Sequence, residues 1–192
     1  MKTTIFTKLL TIVITATIIF SCNKKDDDNN DSKSSNQLTY NNKTYPLDNF
    51  ILLYWNNQDI DSNDTLMYYT FALCSSGINF NETNGFSGKG NYLAFHIATT
   101  ESSGIQGSYS HFSNLFSPKA FYGDMGINCT SIENDECDLN AETVNGTLSI
   151  QVLNKETPQE EVQLIYSFTD EFGKSVSGTY KGKITEYHEI LN

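Results

Sequence analysis

The stretch Asp59-Ile60-Asp61-Ser62-Asn63-Asp64 sets oxygen-bearing side chains at alternate positions, as a loop that wraps a calcium ion does. Two positions depart from a full EF-hand loop. The sixth residue, where the sharp turn calls for glycine, is Asp64, and the twelfth, where a bidentate glutamate closes the sphere, is Thr70. The segment therefore reads as an acidic loop between two strands. Asp135, Glu136 and Asp138 around Cys137 read the same way, as solvated loop charge, and no metal is expected. His96, His111 and His188 are scattered; none forms an H-x-x-x-H pair or accompanies a G-x-S-x-G elbow. A Ser/His/Asp triad assembles only in the fold, so abundant Ser and Asp discriminate nothing. With no constellation to seed a reaction, the expectation is a protein that is not an enzyme and uses no cofactor.

Tyr54-Trp55-Asn56-Asn57-Gln58 puts two aromatic rings beside side-chain amides, a surface suited to a sugar. Tyr54 and Trp55 are the candidate ligand-facing residues. Against this stands the ordinary use of large aromatics as core, in a chain with 11 Tyr, 12 Phe and one Trp. Charge narrows the partners further. The chain carries 12 Lys+Arg against 23 Asp+Glu, a formal charge of −11, and every basic residue is lysine. Such a chain is repelled by phosphate backbones and lacks the arginine fork that reads phosphate, so nucleic-acid binding is excluded.

The N-terminus, Met1 to Cys22, has lysines at 2 and 8 and then an apolar and threonine run from Leu9 to Phe20. That run is signal-peptide length, short of the roughly 20 residues that span a bilayer. Ile19-Phe20-Ser21-Cys22 resembles a bacterial lipobox, with Phe20 departing from the small or aliphatic residue usual there. The resemblance implies cleavage before Cys22, acylation of its thiol, and membrane attachment through the N-terminal lipid, each buried CH₂ being worth about 0.8 kcal/mol. The following Asn23-Lys24-Lys25-Asp26-Asp27-Asp28 is polar and unpatterned, as a flexible tether is, and resembles the surface-export signal of Bacteroidetes-type lipoproteins. Asp64-Thr65-Leu66 resembles the short O-glycosylation acceptor of the same group, with Thr65 as acceptor. The expected organisation is a signal peptide over 1–21, an acylated cysteine and acidic tether over 22–36, and one β domain over 37–192.

Within that domain apolar residues recur with period two, the mark of strands. Leu38-Thr39-Tyr40 and Lys43-Thr44-Tyr45 flank Asn41-Asn42, a hairpin signal, since Asn tolerates the positive φ of tight turns. Phe50 to Trp55 is apolar on both faces. Met67, Tyr69, Phe71 and Leu73 share one face of a strand ending at Cys74, and Leu93, Phe95 and Ile97 one face of another. Leu148, Ile150 and Val152, then Val162, Leu164, Tyr166 and Phe168, then Val176, Gly178, Tyr180, Gly182 and Ile184 mark three more. The middle, 102–142, reads as loop with two or three short strands. Of the cysteines left after Cys22, Cys129 and Cys137 bracket a polar loop and are the expected disulfide. Cys74 would then be a buried free thiol, the alternative being its pairing with one of the loop cysteines.

The expected fold is all-β, an antiparallel β-sandwich, with a calycin-like β-barrel as alternative. Gly146-Thr147-Leu148-Ser149-Ile150, Asp170-Glu171-Phe172-Gly173-Lys174 and Gly178-Thr179-Tyr180-Lys181-Gly182 resemble the closing strands of small uncharacterised Bacteroidetes lipoproteins. That family implies an outer-membrane lipoprotein at the cell surface or facing the periplasm, and no activity. The function expected is a non-catalytic binding or accessory domain for a glycan or an envelope protein. The alternatives are a small apolar-ligand carrier, should the sheet enclose a cavity, and a structural part of an envelope complex.

Overall fold

Period-two alternation draws thirteen strands out of this chain, and among the described residues there is no helix. The computed structural model describes residues 36–56, 66–100, 104–112, 117–154 and 160–191; Cys22, the 59–64 loop and Thr65 lie outside them. The strands are β1 (Gln37–Tyr40), β2 (Lys43–Pro46), β3 (Asn49–Asn56), β4 (Leu66–Cys74), β5 (Ile78–Asn81), β6 (Gly85–Gly88) and β7 (Gly90–Thr100). They continue as β8 (Gly107–His111), β9 (Ala120–Cys129), β10 (Leu139–Asn154), β11 (Glu161–Asp170), β12 (Ser175–Lys183) and β13 (Glu186–Leu191).

An 11-stranded sheet runs β13-β3-β4-β7-β9-β8-β10-β11-β12-β1-β2, with β9 also pairing β10, while β5 and β6 form a separate two-stranded sheet. The large sheet curls into a half-barrel, nearer to the barrel alternative than to two stacked sheets. It is mixed rather than wholly antiparallel, because β13 lies parallel to β3 and β8 parallel to β9. The first of these has a local cause. Thr185, just past β12, donates its N–H to Phe50 O at 2.8 Å and its hydroxyl to the same oxygen at 2.7 Å. Phe50 N–H returns a bond to Thr185 Oγ1 at 3.1 Å. The chain is thereby delivered to the start of β3 and runs alongside it in the same direction.

Curling brings strands distant in the sheet order into contact through their inward side chains. Phe50 of β3 meets Tyr180 of β12 at 5.4 Å between ring centroids. Phe95 of β7 meets Tyr166 and Phe168 of β11 at 5.5 and 6.0 Å. These rings, with Leu38, Phe71, Leu93, Phe121, Leu148, Leu164 and Val176, form one buried cluster. Each such side chain contributes about 1.5–3 kcal/mol on burial. Gly178 shows how tightly it closes. A methyl there would run into the Tyr166 hydroxyl, which instead reaches past to donate to Gln37 O at 2.9 Å.

The N-terminal hairpin forms as its sequence requires, with Asn41 and Asn42 at φ 47° and 63°. Phe50 to Trp55 is apolar on both faces because β3 is covered on both. Ile51 and Leu53 point outward into a second cluster with Ala72, Cys74 and Ile78, against which Trp55, Phe80 and Phe86 pack. The β5–β6 hairpin thus roofs the outer face of β3 and β4. Cys129 and Cys137 form the disulfide, and Cys74 is a buried free thiol.

The middle of the chain is more ordered than its sequence suggests. β9 is 10 residues long, and β10 is 16, beginning at Leu139 within the stretch read as loop. Gly123 and Gly126 interrupt the apolar pattern of β9, and the inward positions opening β10 are the small residues Ala141 and Thr143. β10 pairs β9 through 139–142 and β8 through 147–150, so the sheet forks between those two segments.

Candidate functional site

The strand registers of β4, β7 and β9 place three rows of side chains side by side on the outer face. Thr70, His96 and Tyr122 are paired in one row. Ala72, Ala94 and Asp124 form the next, and Cys74, Tyr92 and Gly126 the third. The middle row is mostly methyl groups, flanked by His96 and Tyr122 on one side and by Tyr92 on the other, so it lies sunken. Ile78 and Phe86 of the β5–β6 hairpin and Ile132 of the disulfide loop complete the walls. The result is a largely apolar pocket of about 170 Å³, with His96 and Asp124 at one side.

Several contacts hold this roof in place. Ile132 N–H donates to Gly88 O at 3.2 Å, and Gly88 N–H to the Glu133 carboxylate at 3.1 Å, joining the disulfide loop to β6. His188 of β13 lies 3.3 Å from both Glu82, in the β5–β6 turn, and Glu186. Gly126 has a different task. A Cβ there would strike the Tyr92 ring and approach the Cys129 sulfur, so only glycine lets Tyr92 lie across β9 as a wall.

A directed hydrogen-bond series runs along the pocket edge. Trp55 Nε1 donates to Thr70 Oγ1 at 2.8 Å. Thr70 Oγ1 lies 2.9 Å from His96 Nδ1, and His96 Nε2 lies 3.4 Å from Asp124 Oδ1. An ionised carboxylate only accepts, so Nε2 carries the proton. In the neutral ring Nδ1 is then the acceptor, and the Thr70 hydroxyl donates to it. Tyr92 also bonds Asp124, and its phenol is pushed above the ordinary range by burial first and by the Asp124 charge second. Tyr122 stacks on His96 at 4.4 Å and 20°, fixing the plane of the imidazole.

A hydroxyl, an imidazole and a carboxylate in series are also the parts of a nucleophile and its base. Here the Thr70 oxygen already accepts the indole N–H, and Thr70 is only 2% exposed. The series is built to hold a geometry.

Asp124 also lines a second, open groove of about 700 Å³, with His111, Tyr122, Glu142, Thr143 and Val144. It occupies the fork where β10 leaves β9 for β8. Asp124 and Glu142 stand directly opposite each other across β9–β10. The pocket and the groove thus share one wall.

The aromatic pair singled out in the sequence is divided between two faces. Tyr54 lies with Tyr69, ring centroids 5.2 Å apart, while Trp55 packs in the outer cluster. They do not form one platform; Trp55 reaches the site through Thr70. Asp135, Glu136 and Asp138 do not converge either. Asp138 accepts from Asn128 and Glu136 from Thr130, and among the described residues no group of His, Cys, Asp and Glu is arranged to hold a metal ion. The residues missed by sequence reasoning are Thr70, His96, Tyr122, Asp124 and Glu142. The signal available was Ala94-Phe95-His96, a small and a polar residue at outward positions of a strand whose inward side, Leu93, Phe95 and Ile97, is apolar.

No protein-family model matches this chain, and neither a curated protein nor a solved structure is significantly similar to it.

Proposed function

We propose that this chain is a lipid-anchored lipoprotein of the Bacteroidetes type, and that its β domain binds a ligand without transforming it. The anchor is the acyl-modified Cys22, and the acidic run that follows directs the domain to the outer face of the outer membrane. The ligand is held at the outer pocket and the adjoining groove, to both of which Asp124 contributes.

The observation that carries the binding reading is the pocket of about 170 Å³ on the outer face of the sheet. Its position is set by two registered alanines, and its edge is stiffened by the Trp55–Thr70–His96–Asp124 series. Apolar walls with a few oriented polar groups are the usual make-up of a small-ligand site. An internal carrier cavity is less well supported, since Phe50, Phe95, Tyr166 and Tyr180 meet across the barrel interior.

The anchoring is tested by growing cells with an alkyne-bearing palmitate and comparing wild type with Cys22→Ala. Label on the wild type alone, with the domain digested by protease on intact cells, is the expected result. Unlabelled wild-type protein would remove the anchor from the account.

A further inference from the structure

Resting on that reading of the outer pocket, we propose that its occupant is a small organic cation: an ammonium group joined to one compact apolar group of about phenyl size. The apolar half follows from shape. A cavity of about 150 Å³ accepts benzene, and this pocket is about 170 Å³, floored by Ala72 and Ala94 and walled by Ile78, Phe86 and Ile132.

The cationic half follows from what stands at the shared wall. Asp124 faces both pocket and groove, with Glu142 opposite it in register. Like charges facing each other across a strand pair are unfavourable without a counter-charge. Among the described residues no lysine forms an ion pair with either carboxylate. His96 lies against Asp124, Nε2 to Oδ1 3.4 Å, and among the described residues no cationic side chain is ion-paired with Glu142. Lys119 is held elsewhere, donating to Gln106 O at 2.9 Å over the Tyr109 ring. Tyr122 is 39% exposed beside the two acids, and an aromatic face next to carboxylates is a favourable seat for an ammonium group. A chain of net charge −11 also draws cations and repels anions at long range. An ammonium centre at the wall, with its apolar group in the pocket, satisfies both halves at once.

The test uses the acylated protein in phosphatidylcholine vesicles and reads Trp55 fluorescence, the single tryptophan of the chain, bonded to the pocket residue Thr70. The probes are phenethylamine, its neutral isostere phenethyl alcohol, and the anion hydrocinnamate. Phenethylamine should bind about tenfold or more tighter than the alcohol, hydrocinnamate should give no saturable change, and added salt should shrink the difference. Asp124→Asn and Glu142→Gln should each reduce the preference for amine over alcohol. Ala94→Leu, which fills the pocket, should abolish binding of both. Equal binding of amine and alcohol to the wild type would overturn the cationic assignment and leave the pocket reading standing. Saturable binding of both that survives Ala94→Leu in a folded variant would overturn the two together, as would no binding by any probe.

Discussion

Trp55 and Thr70, on adjacent strands, are joined by an indole N–H to hydroxyl bond of 2.8 Å that makes the only tryptophan a neighbour of the outer pocket. Thr70→Val keeps the shape and removes the oxygen. It leaves the part-buried indole N–H without its acceptor and His96 Nδ1 without its donor. The expected loss is about 1–3 kcal/mol, read by urea unfolding, together with a shifted Trp55 emission in the folded state. Unchanged emission would mean that the bond does not persist in solution.

Asp124 and Glu142 oppose each other with like charge. Removing one should stabilise the empty protein, so Glu142→Gln is expected to raise stability by about 0.2–1 kcal/mol, more at low salt than at high. A destabilised variant would show that Glu142 has a stabilising partner in solution.

Asp170 is fully buried at the β11–β12 turn. Its Oδ1 accepts the N–H groups of Phe172 at 3.0 Å and Lys174 at 2.6 Å, and the Tyr40 hydroxyl lies against the same carboxylate. Bonds from N–H to a buried carboxylate are worth about 1.5–3 kcal/mol each. Asp170→Ala should therefore be among the most damaging single changes outside the apolar core, seen as a large drop in the thermal midpoint. Asp170→Asn should recover part of the loss, since its carbonyl can accept the same two N–H groups.

Burial pushes the phenols of Tyr69, Tyr109 and Tyr180 up to about 12, and the Cys74 thiol up to about 12. For each, the neutral form belongs to the folded state. Tyr109 donates to Ile105 O at 2.7 Å and Tyr180 to Lys183 O at 2.9 Å, bonds that ionisation destroys. The folded pKa lies above the unfolded one, so this stability is full below the unfolded value. It is lost as pH climbs through the folded one, between about pH 9 and 12. Phenolate absorbance should rise late and together with loss of near-ultraviolet circular dichroism. Cys74 should resist thiol reagents at pH 8 until the protein is unfolded.

The strands that read clearly in the sequence were those with one strongly apolar face, such as Val162-Gln163-Leu164-Ile165-Tyr166, and the Asn41-Asn42 turn was legible because its chemistry is local. The curl of the sheet was not. It depends on contacts such as Phe50 with Tyr180, separated by most of the chain, and on Thr185 delivering β13 to β3. The candidate site was hidden for the same reason. Thr70, His96 and Asp124 lie on three strands, and only register makes Ala72 and Ala94 the floor of a pocket. Tyr54-Trp55 drew the eye as adjacent rings, yet neighbours on a strand point to opposite faces.

The central claim is that ligands enter the outer pocket and not the barrel interior. It is tested most directly by methyl-detected NMR of the protein, with Ala, Ile, Leu and Val methyls labelled, during a screen of small aromatic compounds. The account predicts saturable shifts at Ala72, Ile78, Ala94 and Ile132, with Leu148, Ile150 and Leu164 unmoved. Shifts confined to those three interior residues would contradict it and return the domain to the carrier reading.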